Sequence, residues 1–116
     1  MDHYHLWFDL APGVSDVEFA DTLAVYLGHL KADGRLHDWH LARRKLALGH
    51  PALREFHVDM VFEDLAQLDR AFSLAAARAG QVEGLHQAVN SKVTGLMAAL
   101  YRDFPDEVRV LGEEKF

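Results

Sequence analysis

With 116 residues, half of them apolar, the chain is long enough for one domain with a real core and too short for two. Eighteen acidic against twelve basic side chains leave a net charge of −6, which argues against a nucleic-acid partner, since phosphate binding needs a basic patch and the only basic run is Arg43-Arg44-Lys45. The absence of cysteine excludes disulfides, thiolate nucleophiles and cysteine-based zinc or iron–sulfur sites, and no apolar run approaches the ~18 residues of a membrane span. The chain opens directly into a strand-like segment without a basic and apolar leader, so no membrane partner and a cytoplasmic location are expected.

The first strand is predicted over 3–10, where Tyr4, Leu6, Phe8 and Leu10 alternate with His3, His5, Trp7 and Asp9. Pro12-Gly13 turns the chain. Ser15 and Glu18 then form a capping box, Val14 and Phe19 a hydrophobic staple, and Ala20, Leu23, Leu27 and Leu30 an apolar helix stripe that Gly34 stops. A second strand is expected over 36–48, although 42–48 also suits a helix, and Arg43-Arg44-Lys45 would protect a sheet edge. The third strand, over 55–62, alternates Phe56, Val58, Met60 and Phe62 with His57, Asp59 and Val61. Asp64 with Gln67 caps a second helix, whose predicted buried stripe is Leu65, Leu68, Phe72, Ala75 and Ala79, closed by Arg78 and Gly80. Residues 83–88 read as a short helix and 93–102 as the fourth strand, because Val93, Thr94 and Gly95 weaken a continued helix. A single domain over 1–104 is expected, then a charged tail over 105–116 with a short extended piece at 108–111.

This order, βαββαβ, predicts an α+β, ferredoxin-like fold: a four-stranded antiparallel sheet with the helices on one face and the first and third strands central. The other face would carry His3, His5, Trp7, Asp9, His57, Asp59 and Val61, with Trp39 or His40 from the second strand and Tyr101 or Leu100 from the fourth. Such a set is too apolar for water and too polar for a dry core, so a homodimer is expected, its two sheets enclosing a partly polar cavity.

Several segments also carry a family resemblance: Tyr26-Leu27-Gly28-His29-Leu30-Lys31, WHLARRKL over 39–46, Glu83-Gly84-Leu85-His86 with Ala88-Val89-Asn90-Ser91, and above all ALYRDFPD over 99–106. Up to Asp106 the chain resembles a small bacterial family with the dimeric α/β-barrel, ferredoxin-like fold. That family brings no established activity. The wider superfamily, similar only in fold, includes cofactor-independent monooxygenases, small-lactone isomerases, haem-degrading enzymes and stress-responsive proteins, and fold does not settle function.

The sharpest constellation is His5 and Asp9 on the first strand with His57 and Asp59 on the third, because residues two apart on a strand share a face. Three readings fit: general acid/base work by His5, His57 and Asp59, a two-histidine, one-carboxylate metal site, or a water-filled interface of hydrogen-bonded histidines. His3, Trp7, Asp9, Trp39 and Tyr101 are the expected ligand-contacting residues, for a small planar organic molecule, and no cofactor or metal is expected. His37 and His40 form an H-x-x-H that would split across a strand, and His86 and Asn90 could reach a cavity mouth or serve as caps. Arg102 and Asp103 could bind an anion or fix the tail. Nucleotide-binding and H-E-x-x-H motifs are absent, and Ser15, Ser73 and Ser91 sit in helix-cap or helix-proximal contexts, which leaves no obvious serine nucleophile. Two classes stay open: a ligand-binding or stress-associated protein, and a cofactor-independent oxygenase or isomerase.

Overall fold

The computed structural model describes residues 1–77, 80–106 and 111–112. Seven elements follow one another: β1 Asp2–Leu10, α1 Asp16–Ala32, β2 Asp38–Arg43, β3 Phe56–Phe62, α2 Leu65–Ala76, α3 Gly80–Asn90 and β4 Val93–Arg102. The strands form one antiparallel sheet in the order β2-β3-β1-β4, which is the ferredoxin-like arrangement with one additional helix.

The register of β1 and β3 sorts their side chains. Tyr4 lies opposite Met60, Leu6 opposite Val58 and Phe8 opposite Phe56, so all six point to the helices; His5 opposite Asp59 and Trp7 opposite His57 point away. On the helix side, Phe19, Leu23, Tyr26, Leu27 and Leu30 of α1 pack on Phe8, Phe56, Val58, Met60 and Phe62. Ser15 caps α1 by accepting from the Glu18 N–H, and Asp64 caps α2 by accepting from that of Gln67. α3 packs beside α1, so the opposite face of the sheet is uncovered by any described helix.

Three expectations need correction. β2 ends at Arg43 rather than 48, because Leu46 and Ala47 both adopt left-handed backbone (φ 57° and 56°) and turn the chain; neither is a glycine, so no residue announced the turn. The buried residues of α2 are Gln67 and Ala71, whereas Leu65 and Phe72 are exposed. A polar residue takes the core position because the Gln67 amide is satisfied twice, donating to the Gly34 carbonyl and accepting from the Glu63 N–H. Helix α2 stops at Ala76, and Gly80, expected to end it, instead opens α3. The expected roles of Arg78 and Ala79, and the extended piece at 108–111 apart from a turn at Leu111, lie outside the described residues.

Candidate functional site

The open face of the sheet is a patch of stacked rings and short polar contacts. His3, His5 and Trp7 rise in a row from β1, and their neighbouring rings stack at 6.0 and 5.7 Å between centroids. From β3, the His57 ring lies 5.0 Å from that of His5 and 4.9 Å from that of Trp7. His5 Nδ1 and His57 Nε2 are 2.7 Å apart, so one imidazole donates to the other. His3 Nδ1 is 3.3 Å from both oxygens of Asp59, and its Nε2 is 2.7 Å from Asp103 Oδ1. Tyr101, opposite His3 on β4, sets its ring edge-on to His5 at 5.2 Å.

These contacts tune the imidazoles in opposite directions. Burial pulls His3 down, but its hydrogen bonds to Asp103 and Asp59 outweigh this and raise its pKa above 6.5. His57 is lowered, first by burial and then by repulsion from His5 and His40 against the attraction of Asp59. Asp103, held by His3, is pushed below the usual carboxylate range.

Of the expected site residues, His3, His5, Trp7, His57, Asp59 and Tyr101 therefore share this face. Trp39 does not. It pairs with Met60 and packs against the core on the helix side, and parity gives the open-face position on β2 to His40, opposite Asp59. Asp9 sits on the expected face but turns away from the histidines: it accepts from the Glu55 N–H at 3.1 Å and pairs with Arg54 at 3.2 Å. Asp103 is the participant missed as a site residue. It follows β4, whose register brings its end beside the start of β1, where the Asp103 N–H donates to the Met1 carbonyl. Arg102 instead pairs with Asp106. The H-x-x-H does not converge, since His37 lies against Glu63 and His40 belongs to the sheet.

The cavity predicted on this open face is one that the sheets of two protomers would enclose together. The larger cavity lies on the other side of the sheet, under the helices, with a volume of about 420 Å³. Its walls are mostly apolar, with Leu6, Phe8, Leu23 and Met60 among them, and Tyr4, Tyr26, His86 and Asn90 supply polar groups. The cavity forms where α2 and α3 straddle the sheet, with the small Ala71, Ala75 and Ala76 facing it. Tyr26 and His86 meet across α1 and α3 at 5.7 Å between ring centroids. Burial raises the Tyr4 phenol, so it stays a neutral hydroxyl. On the open face a shallower cleft of about 220 Å³ lies where Trp7 and His57 meet the loop after β2.

The model of the family of unknown function DUF6614 matches residues 1–116, and the chain belongs to that family. No curated protein matches it. Among solved structures it is similar to the At3g17210 protein of Arabidopsis thaliana, with a TM-score of 0.71 at 11% identity over 95% of this chain and all of that one. It is also similar to SnoaB, a cofactor-independent oxygenase from Streptomyces nogalater, at a TM-score of 0.68 and 12% identity over 93% and 97% of the two chains. A dimeric ferredoxin-like protein of unknown function from Jannaschia sp. CCS1 is similar at 0.64 and 14% over 89% and 100%. Identities this low establish a shared fold.

Proposed function

We propose that this protein binds a small, largely apolar organic molecule in the cavity between its sheet and helices, acting as a homodimer whose open faces meet in a dimeric α/β barrel. The cavity carries the reading. At about 420 Å³ it has the size and character of a small-molecule pocket, apolar walls with a few polar side chains to orient the ligand. A neutral Tyr4 hydroxyl suits a carbonyl or hydroxyl on such a ligand.

Support for the dimer comes from Trp7 and Val61, half-buried on a face that no described helix covers, and from the dimeric ferredoxin-like neighbour of Jannaschia sp. CCS1. In that barrel His5, His57 and Asp59 would line the interior, across the sheet from the cavity. The lack of cysteine suits a reducing cytoplasm, and among the described residues no helix is long and apolar enough to cross a membrane.

A second reading, an acid/base enzyme such as an oxygenase or isomerase, draws on Tyr26 and His86. An imidazole beside a phenol in an apolar cavity can take a proton from a bound molecule and return it. SnoaB shows that this fold hosts oxygenase chemistry without a cofactor.

Native mass spectrometry of the purified protein, together with titration by an apolar fluorescent probe, tests the binding reading. Ala75→Phe, which projects into the cavity, should weaken probe binding at least tenfold while leaving the circular dichroism unchanged. Undiminished binding in that folded variant, or loss only on truncation of Trp7, would move the ligand site to the open face.

A further inference from the structure

We infer that His3, His5 and Asp59 form a binding site for a divalent first-row transition metal of the Fe(II), Co(II) or Zn(II) class, on the opposite side of the sheet from the ligand cavity. The inference goes beyond the cavity and does not depend on it. One ligand atom from each of the three residues lies within 4.8 Å of the others. His3 Nδ1 is already 3.3 Å from Asp59, and His5 Nε2 is 4.0 Å from Asp59 Oδ1. Two donors bound about 2.1 Å from a cation, at tetrahedral or octahedral angles, stand about 3.0–3.4 Å apart. Closing the triangle therefore needs movements of about 1 Å, which side-chain torsions on a fixed sheet can provide.

The second nitrogen of each imidazole strengthens the case. A metal-bound histidine holds its orientation by giving its other N–H to a carboxylate or similar acceptor. His3 Nε2 has Asp103 at 2.7 Å, and His5 Nδ1 has His57 at 2.7 Å. In the tautomers where His3 Nε2 donates to Asp103 and His5 Nδ1 to His57, His3 Nδ1 and His5 Nε2 carry lone pairs, and both face the Asp59 carboxylate. Three electron-rich atoms so placed repel one another unless protons or a cation lie between them.

Antiparallel pairing builds the triangle: His5 is directly opposite Asp59, and His3 projects from the same face two residues earlier. Two imidazoles and one carboxylate on one side of a cation leave its remaining positions to water or a small ligand, an arrangement suited to non-haem iron or catalytic zinc. Asp103, with 59% of its side chain exposed, marks the rim from which an ion would enter.

Protein without an affinity tag, stripped with a chelator and dialysed against Co(II) or Zn(II), should retain one metal per chain by elemental analysis, with visible d–d absorption for Co(II). Affinity should fall at least 100-fold in His5→Ala and Asp59→Asn, and roughly 10–100-fold in Asp103→Asn. His50→Ala, a loop histidine, should leave it unchanged. Circular dichroism and the thermal midpoint report that each variant is folded. Should His5→Ala or Asp59→Asn fail to fold, Asp103→Asn decides, because its side chain is exposed. Substoichiometric metal in the parent protein, or affinity unchanged in folded His5→Ala or in Asp103→Asn, would overturn the inference.

Discussion

The two faces of the sheet share a backbone and differ in almost everything else. Toward the helices, β1 and β3 send Tyr4, Leu6, Phe8, Phe56, Val58, Met60 and Phe62, which are held by volume and exclusion of water; away from them they send His3, His5, Trp7, His57, Asp59 and Val61, held by directed contacts between 2.7 and 3.3 Å and by ring stacking. The first face should respond to loss of methylenes and hardly to pH. The second should respond to protons, metals and a partner surface.

The largest effect is expected from the covered face. Phe62 is fully buried, so Phe62→Ala removes a whole ring from a close-packed layer and should cost about 3–5 kcal/mol in denaturant unfolding. A loss below about 1 kcal/mol would mean that this layer is loosely packed, and the contrast between the faces would weaken.

The tryptophans give the next test, because they stand on opposite sides. Trp39→Ala should cost about 2 kcal/mol, being half-buried against the core on an edge strand. Trp7→Ala should instead convert the proposed dimer to monomer in sedimentation at micromolar concentration while the secondary structure persists. If both variants behave alike, the open face is no interface.

A smaller effect belongs to the stitch between the faces. Between Trp7 and Asp9 the β1–β4 register shifts, so that Gly95 and Leu96 together oppose Phe8 in a bulge. Gly95 has φ 65°, and a Cβ there would meet Arg54 Nε at 2.9 Å, the guanidinium that also pairs with Asp9. Gly95→Ala should therefore cost about 1 kcal/mol or more through backbone strain, and an unchanged thermal midpoint would show that the bulge relaxes freely.

Much of this contrast was readable in the sequence. Strict alternation in β1 and β3 fixes their parity, because a one-residue slip would expose three large apolar side chains per strand, and the capping residues Ser15 and Asp64 locate the starts of α1 and α2. β2 was harder: Trp39 and His40 compete for the open face, and only pairing with Met60 and Asp59 decides between them. The ligand-sized cavity was hidden because it depends on how α2 and α3 straddle the sheet, which no periodicity encodes. For Asp103 the sequence offers anion binding or a hold on the tail but no link to His3, since the chain gives no sign that the end of β4 returns to the start of β1.

The smallest effect is a pH signature confined to the open face, and its two parts lie on opposite sides of pH 6.5. His3, between Asp59 and Asp103, has a folded pKa above its unfolded 6.5, so its stabilisation is complete below pH 6.5 and is lost as pH rises through the folded value. His57, facing His5, His40 and Asp59, has a folded pKa below 6.5. Protonating it opposes folding, so its neutral-form stability is complete above pH 6.5 and is lost as pH falls from there through the folded value. The sum should give unfolding stability a shallow maximum near pH 6.5, falling on the alkaline side with His3 and on the acid side with His57, while the two imidazole signals titrate on opposite sides of that value. Proton NMR of chelator-treated protein should show His3 titrating above 6.5 and His57 below it. Asp103→Asn removes one of the two carboxylates that raise His3 and should lower its midpoint without moving that of His57, since Asp103 is not among the groups facing His57. Equal midpoints for the two imidazoles would show that the carboxylates and the neighbouring rings do not divide the face as their geometry implies.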